Sequence, residues 1–117
     1  MRNDKENIIV NLTFRFSLDI IKFSEQLRTL HKYEMASQIF RSGTSIGANI
    51  REAQNAESKA DFIHKFKISA KEADELEYWL MLCEKSEHYI NPKNELLTDL
   101  ESIIKIINKI ISSSKKN

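Results

Sequence analysis

The chain contains two glycines and one proline in 117 residues, and this shortage constrains the fold more than any other feature. Sheet proteins turn about every eight to twelve residues and rely on glycine and proline to make those turns. So small a supply favours a few long helices joined by short polar connections. Phosphate-binding folds built on glycine-rich loops, such as the dinucleotide-binding and P-loop classes, are excluded for the same reason.

The size and charge of the chain are those of one folded domain. Hydrophobic residues make up 41% and charged residues 30% of the sequence, a balance that is too apolar for a disordered chain. The single cysteine, Cys83, cannot form an intramolecular disulfide. The polar N-terminal residues do not resemble a signal peptide, and no stretch approaches the roughly 20 apolar residues of a membrane span. We therefore expect a cytoplasmic protein without a membrane partner.

Four amphipathic segments follow one another along the sequence. Within each segment apolar residues recur at steps of three and four, which is the spacing of one helix face. The predicted helices cover residues 8–30, 34–57, 59–86 and 92–112, each with approximate ends, and a flexible basic tail covers 113–117. Long helices with short connections predict an all-α fold, an antiparallel up-down-up-down four-helix bundle that forms a single domain over 1–117.

Two helix starts have specific signals. Ser58 can accept a hydrogen bond from the amide three residues later, as helix-capping serines do, although a small kink in a continuous helix is the alternative. The pair Asn91-Pro92 predicts the start of the fourth helix. Proline at the first helical position removes only an amide hydrogen that would be unpaired anyway.

The second helix is unusual because small and polar residues stand where a bundle helix carries large apolar ones. Glycine inside a helix costs about 1 kcal/mol relative to alanine, so Gly43 and Gly47 predict a close approach of another backbone or a ligand. A polar stripe lies beside the apolar one and consists of Gln38, Ser42, Ser45, Asn49 and Glu52. The favoured interpretation is close helix packing, with these groups hydrogen-bonded across the bundle or across a subunit interface. The alternatives are a small-molecule or anion site and a groove for a partner protein.

Residues of the second and third helices resemble a known family. The block QIFRSGTSIGANIREA at 38–53 is similar to the signature of small bacterial four-helix bundle proteins, the 23S ribosomal RNA intervening-sequence proteins. The runs DFIHKF at 61–66 and KEADELEYWL at 71–80 resemble the same family. The resemblance covers about half of the chain.

This resemblance implies a left-handed bundle that assembles into a ring, typically a pentamer, with no established activity in most members. A related branch, the accessory protein of diversity-generating retroelements, is a strongly basic pentamer that binds a reverse transcriptase and nucleic acid. Because this chain has a formal net charge of only +1, nucleic-acid binding does not carry over directly. The residues that could form a basic rim are Arg41, Arg51, Lys59 and Lys65.

Apolar residues outside the main helix stripes point to additional burial between subunits. These residues are Phe14, Ile21, Ile63, Trp79 and Ile106. The acidic third helix and the basic end of the fourth helix also suit a head-to-tail interface between copies.

The sequence shows no pattern of catalytic or metal-binding residues. A di-iron bundle needs Glu-x-x-His on two helices, which does not occur, and Cys83 falls on a core position where a thiol is inert. We therefore expect a non-enzymatic homo-oligomer, with a pentamer favoured, that uses no metal, cofactor or small-molecule substrate and acts as a scaffold or accessory protein. One alternative is an RNA- or DNA-binding module that acts with a nucleic-acid enzyme such as a reverse transcriptase. The other is an enzyme or small-molecule binder that uses the polar stripe.

Overall fold

The computed structural model describes the backbone of residues 4–116 and the side chains of residues 8–116. Four helices cover most of this range: α1 (Asp4–Thr29), α2 (Tyr33–Ala53), α3 (Lys59–Lys85) and α4 (Asn94–Lys115). The neighbouring pairs are α1–α2, α2–α3, α3–α4 and α1–α4, so α1 lies diagonally across from α3. Because short connections join neighbouring helices, successive helices are antiparallel. No strand occurs among the described residues. The predicted all-α, up-down-up-down four-helix bundle is confirmed.

One apolar core runs along the axis of the bundle. Every helix contributes a stripe at steps of three and four, so the four stripes meet in the centre. The fully buried members include Ile9, Phe16, Ile20 and Leu27 of α1, Ile39, Ile46 and Ile50 of α2, Phe66, Ala73, Leu76, Leu80 and Cys83 of α3, and Ile103 and Ile107 of α4. None of the four helices combines the length and the apolar content that a membrane crossing requires.

The connection between α1 and α2 places a histidine in the left-handed backbone conformation. His31 has φ 63°. The Lys32 amide donates to the Leu27 carbonyl and the His31 amide donates to the Arg28 carbonyl, both at 2.9 Å, which is the Schellman pattern of a helix C-terminus. Glycine usually holds this position because it has no Cβ. Here both glycines lie inside α2 instead.

The end of α2 and the start of α3 are set by local hydrogen bonds. The Gln54 amide donates to the Arg51 carbonyl at 3.1 Å, a tighter turn that ends α2 at Ala53, before the predicted end near residue 57. Ser58 Oγ accepts from the Asp61 amide at 3.0 Å. α2 and α3 are therefore separate helices, as the capping signal predicted, and not one kinked helix.

The ends of α4 and the start of α1 differ from the sequence-based expectation. α4 begins at Asn94 with Lys93 extended before it, and Pro92 is buried in the preceding connection instead of occupying the first helical position. At its other end α4 continues to Lys115, so residues 113–115 of the expected tail are helical, and Asn117 lies outside the described residues. α1 begins at Asp4 and not near residue 8. No glycine or proline interrupts either extension.

Candidate functional site

The two glycines of α2 lie against α1. A Cβ atom at Gly43 would stand 2.6 Å from Cγ2 of Ile20, which is closer than non-bonded carbon atoms approach. A Cβ atom at Gly47 would stand 3.2 Å from the carbonyl oxygen of Thr13. Neighbouring atoms of α1 thus fill the space that alanine side chains would need, and the two helices pack closely along this stretch.

The other side of α2 is approached by α3 through a serine. Ser69 occupies a core position of α3, is fully buried, and donates from Oγ to the carbonyl oxygen of Ile46 at 2.9 Å. Sequence reasoning did not select Ser69 as a site residue. The signal was present, because a hydroxyl at an otherwise apolar core position must find a hydrogen-bond partner.

The polar stripe of α2 satisfies its hydrogen bonds mostly within α2. Ser42 Oγ donates to the Gln38 carbonyl at 2.8 Å and Ser45 Oγ to the Arg41 carbonyl at 2.6 Å. Asn49 Nδ2 donates to the Ser45 carbonyl at 2.9 Å. These bonds to the preceding turn leave few polar groups of the stripe to converge on one ligand.

The remaining two members of the stripe, Glu52 and Gln38, are not described by these bonds within α2. Glu52 reaches α3 and accepts from Lys65 Nζ at 2.9 Å. The Gln38 side chain is exposed near the start of α2. The structure therefore does not bring all five predicted residues of the stripe to a common point.

Two residues of the predicted basic rim, Arg41 and Lys65, form ion pairs at separate places on the bundle. Arg41 Nη1 lies 3.1 Å from Glu72 Oε1, and Nη2 donates to Glu75. The hydrogen bond from Arg41 lowers the pKa of Glu75 and, in the opposite direction, raises the pKa of Arg41. The hydrogen bond to Glu52 similarly raises the pKa of Lys65. Both pairs join α2 to α3, and they stand about 16 Å apart along the axis of α2.

The other two residues of the predicted rim lie near the α2–α3 connection. Arg51 is exposed in the last turn of α2, and it borders a groove between α1 and α2. Lys59 is exposed and is the first residue of α3. The structure thus places Arg51, Lys59 and Lys65 at one end of the bundle and leaves Arg41 apart from them.

A larger group of lysines lies at the same end of the bundle. We call it the basic end; it is formed where the first half of α3 adjoins the second half of α4, and its exposed lysines are Lys67, Lys105, Lys109, Lys115 and Lys116. Residues 105–117 contain no acidic residue. Acidic residues are concentrated in the opposite half, at Asp74, Glu77, Glu84, Glu87, Glu95 and Asp99. The nearly neutral chain therefore folds into a bundle with ends of opposite charge.

Among the described residues, six of the ten exposed large apolar side chains form two patches on diagonally opposite helices, and the other four are Ile8, Leu30, Tyr33 and Phe40. The α1 patch consists of Phe14, Leu18 and Ile21, with Phe14 60% and Leu18 48% exposed. The α3 patch consists of Tyr78, Met81 and Leu82, with Tyr78 57% and Met81 51% exposed. Of the apolar residues predicted to lie outside the helix stripes, Phe14 and Ile21 are exposed, whereas Ile63, Trp79 and Ile106 are partly buried within the bundle.

The single thiol lies in the core. Cys83 is fully buried, and burial raises the pKa of its thiol to about 11, so the unreactive protonated form prevails at neutral pH. Among the described residues, no three His, Cys, Asp or Glu side chains come together in a way that could hold a metal ion.

Comparison with known proteins identifies a family and a related crystal structure. The sequence matches the family model described as 23S rRNA-intervening sequence protein over residues 5–109. A crystal structure from Bacteroides thetaiotaomicron, described as a protein with unknown function from the S23 ribosomal protein family, is 41% identical with a TM-score of 0.84. That similarity covers 92% of this chain and 98% of the other. No curated protein matches the sequence.

Proposed function

The chain belongs to the 23S rRNA-intervening sequence protein family, and from that membership we propose that it is a non-enzymatic scaffold or accessory protein that assembles into a ring. The observation that carries the proposal is the pair of exposed apolar patches on α1 and α3. Contiguous apolar surface on a small protein marks an interaction site.

The positions of the patches favour a ring over a two-fold dimer. The α1 patch and the α3 patch lie on diagonally opposite helices, so one copy can offer the first to the second of the next copy. Such a heterologous contact repeats from copy to copy and closes into a ring when the rotation allows it. Five copies are the number that the family resemblance implies.

Light scattering and native mass spectrometry on two matched variants test the proposal. Phe14→Glu with Leu18→Glu removes the α1 patch, and Tyr78→Glu with Met81→Glu removes the α3 patch. Each double variant should be monomeric, whereas Thr98→Glu on the exposed side of α4 should assemble like the wild type. Because each variant keeps the patch that the other lacks, a mixture of the two should form a heterodimer and nothing larger. A wild type that is monomeric at micromolar concentration, or a mixture that forms no heterodimer, would contradict the proposal.

The basic end supports a second candidate function, an RNA- or DNA-binding accessory module. In a ring of parallel bundles the basic ends of all copies lie on one face, so that face carries far more positive charge than the net charge of one chain indicates. Each phosphate contact releases a counterion, so binding would weaken steeply with salt.

Binding of a fluorescent single-stranded RNA at increasing salt tests this second candidate. Lys109→Ala with Lys116→Ala should weaken binding several-fold and make its salt dependence shallower, because phosphate contacts are lost. Arg41→Ala should change little, since Arg41 is engaged by Glu72 and Glu75. Lys85→Ala, at the opposite end of the bundle, is the control. No binding at low salt would exclude this function.

A further inference from the structure

A groove lined by three aromatic side chains lies at the end of the bundle opposite the basic end. The start of α2, the last part of α3 and the α3–α4 connection meet there, and Tyr33, Trp79 and Tyr89 line the groove together with Glu34 and Gln38. We call it the aromatic groove. Tyr33 is 56% exposed, and Trp79 and Tyr89 are half-buried. Neither function proposed above uses this surface.

Polar edges of two of the rings are already occupied by protein groups. Trp79 Nε1 donates to Glu75 Oε2 at 3.2 Å, and Glu75 is itself held by Arg41. The Tyr33 hydroxyl and His31 Nδ1 share a hydrogen bond of 2.8 Å. Both rings are therefore held in place by bonds at their edges. Each also contacts a neighbouring ring, Trp79 with Tyr78 at 5.4 Å and Tyr33 with His31 at 5.7 Å between ring centres. The ring surface that remains toward the groove is apolar.

The third ring already attracts a cation of the chain. The Lys32 ammonium group lies 5.6 Å from the centre of the Tyr89 ring, within the range of a cation–π interaction. Glu34 adds a carboxylate in the first turn of α2, where the unpaired amide groups carry partial positive charge. The positive charge of Lys32 and the partial positive charge of these amides repel a second cation in the groove. The negative charge of Glu34 counteracts this repulsion.

We propose that the aromatic groove binds an alkylammonium group, with a quaternary ammonium preferred. Such a cation is attracted by ring faces and by a carboxylate, and its methyl groups need no hydrogen-bond acceptor. The ligand would be either a free choline-like molecule or a methylated lysine side chain of a protein partner, since both present the same group.

Intrinsic fluorescence gives a direct test, because Trp79 is the only tryptophan in the chain. Choline should produce a saturable change with a dissociation constant in the millimolar range. Its neutral isostere, in which a tert-butyl group replaces the trimethylammonium group, should bind several-fold more weakly. Equal binding of the two compounds, or no saturable change with choline, would overturn the proposal.

Two variants with matched controls separate cation binding from general apolar contact. Lys32→Ala should tighten choline binding several-fold because it removes the competing ammonium from Tyr89, whereas Lys22→Ala should leave it unchanged. Glu34→Gln should weaken binding several-fold, whereas Glu95→Gln, at the equivalent first-turn position of α4, should not. Weaker or unchanged binding in Lys32→Ala would contradict the proposed arrangement, provided that circular dichroism shows an intact helical fold.

A peptide titration distinguishes the two sources of the ammonium group. Tighter binding of a trimethyllysine peptide than of choline would support the groove as a site for a modified protein partner. The reverse order would support a free small molecule. Equal binding of the unmodified and the trimethylated peptide would contradict a preference for quaternary ammonium.

Discussion

Gly43 and Gly47 differ in what they face, although both lie where α2 meets α1. The space beside Gly43 is filled by Ile20, a fully buried β-branched side chain with little freedom to move. The space beside Gly47 ends at the carbonyl oxygen of Thr13, at a distance that a small shift of α1 can relieve. The two glycines are therefore not equally necessary.

Replacement of each glycine by alanine should separate these two cases. Gly43→Ala should lower the free energy of unfolding by about 1–2 kcal/mol, because overpacking against Ile20 exceeds the gain in helix propensity. Gly47→Ala should stay within about 0.5 kcal/mol of the wild type, because the propensity gain offsets a milder clash. Urea unfolding followed by circular dichroism at one protein concentration measures both values. Equal destabilisation by the two variants would contradict this account.

Two buried serines, Ser69 and Ser24, differ in whether their hydroxyl groups have a hydrogen-bond partner. Ser69 Oγ is bonded to the Ile46 carbonyl across the α2–α3 contact. Ser24 Oγ on α1 is also buried. Among the buried side-chain oxygens of the described residues, it is the one without a hydrogen-bond partner. Burial of an unpaired hydroxyl is unfavourable, whereas burial of a paired one is roughly neutral or stabilising.

Alanine substitution of the two serines should therefore have opposite effects. Ser69→Ala should destabilise the protein by about 1 kcal/mol through loss of the cross-helix hydrogen bond. Ser24→Ala should stabilise it by about 1 kcal/mol, because it removes an unsatisfied polar group and favours the helix. Thermal unfolding of both variants beside the wild type measures the difference. A destabilised Ser24→Ala would show that the hydroxyl has a partner after all.

Between elements, α2 and α3 are linked by ion pairs as well as by apolar packing. Arg41 contacts Glu72 and Glu75, and Lys65 contacts Glu52. These side chains are partly exposed, so each pair contributes little free energy. Their main effect is to orient one helix relative to the other, and Glu75 also fixes Trp79 of the aromatic groove.

Acid should weaken the link between Arg41 and Glu75. The pKa of Glu75 is lower in the folded protein than its ordinary value of 4.5. The ionised Glu75 carboxylate therefore stabilises the fold fully above pH 4.5, and this stabilisation is lost as the pH falls through the lowered pKa. Arg41→Met should reduce stability at pH 7 by about 0.5 kcal/mol and should flatten the decline of stability below pH 4.5.

Stability curves between neutral pH and pH 3 measure this effect, and Lys105→Met is the matched control. Lys105 pairs with Glu101 on the same helix at 3.7 Å in an exposed position, so its replacement should leave the pH dependence unchanged. A decline in Arg41→Met as steep as in the wild type would contradict the role assigned to this pair.

At the scale of the whole molecule, the bundle is elongated and its surface is divided by charge and polarity. It measures 48 × 20 × 20 Å with a radius of gyration of 14.7 Å. The basic end lies at one end of the bundle, and the acidic residues are concentrated in the opposite half. The two apolar patches lie on opposite sides of the bundle, and the α3 patch falls within the acidic half. Such a division suits side-by-side assembly of copies in one direction, with like ends on like faces.

Small-angle X-ray scattering should detect this assembly. The wild type should give a radius of gyration well above the 14.7 Å of one bundle, because a ring places most mass far from its centre. Phe14→Glu with Leu18→Glu should return the value close to that of a single hydrated bundle. A wild-type value that already matches one bundle would count against the ring.

The number, type and order of the elements follow from the sequence alone. Helix periodicity depends on residues three and four apart, and these positions are close in any helix, so the pattern identifies four helices without knowledge of their packing. The capping role of Ser58 is equally local. The helix ends at Ala53 and Asn94 were predicted less well, because competing turns of similar energy differ by only one or two hydrogen bonds.

Only the tertiary structure decided which groups meet across helices. The sequence placed Arg41 in a basic rim, whereas the structure pairs it with two carboxylates of α3. It also brings Tyr33, Trp79 and Tyr89 from three separate elements to one groove, and it collects lysines of α3 and α4 at one end. Contacts of this kind depend on the relative height and rotation of packed helices. Those quantities are set by the fit of side chains across the core, and no repeat within a single helix encodes them.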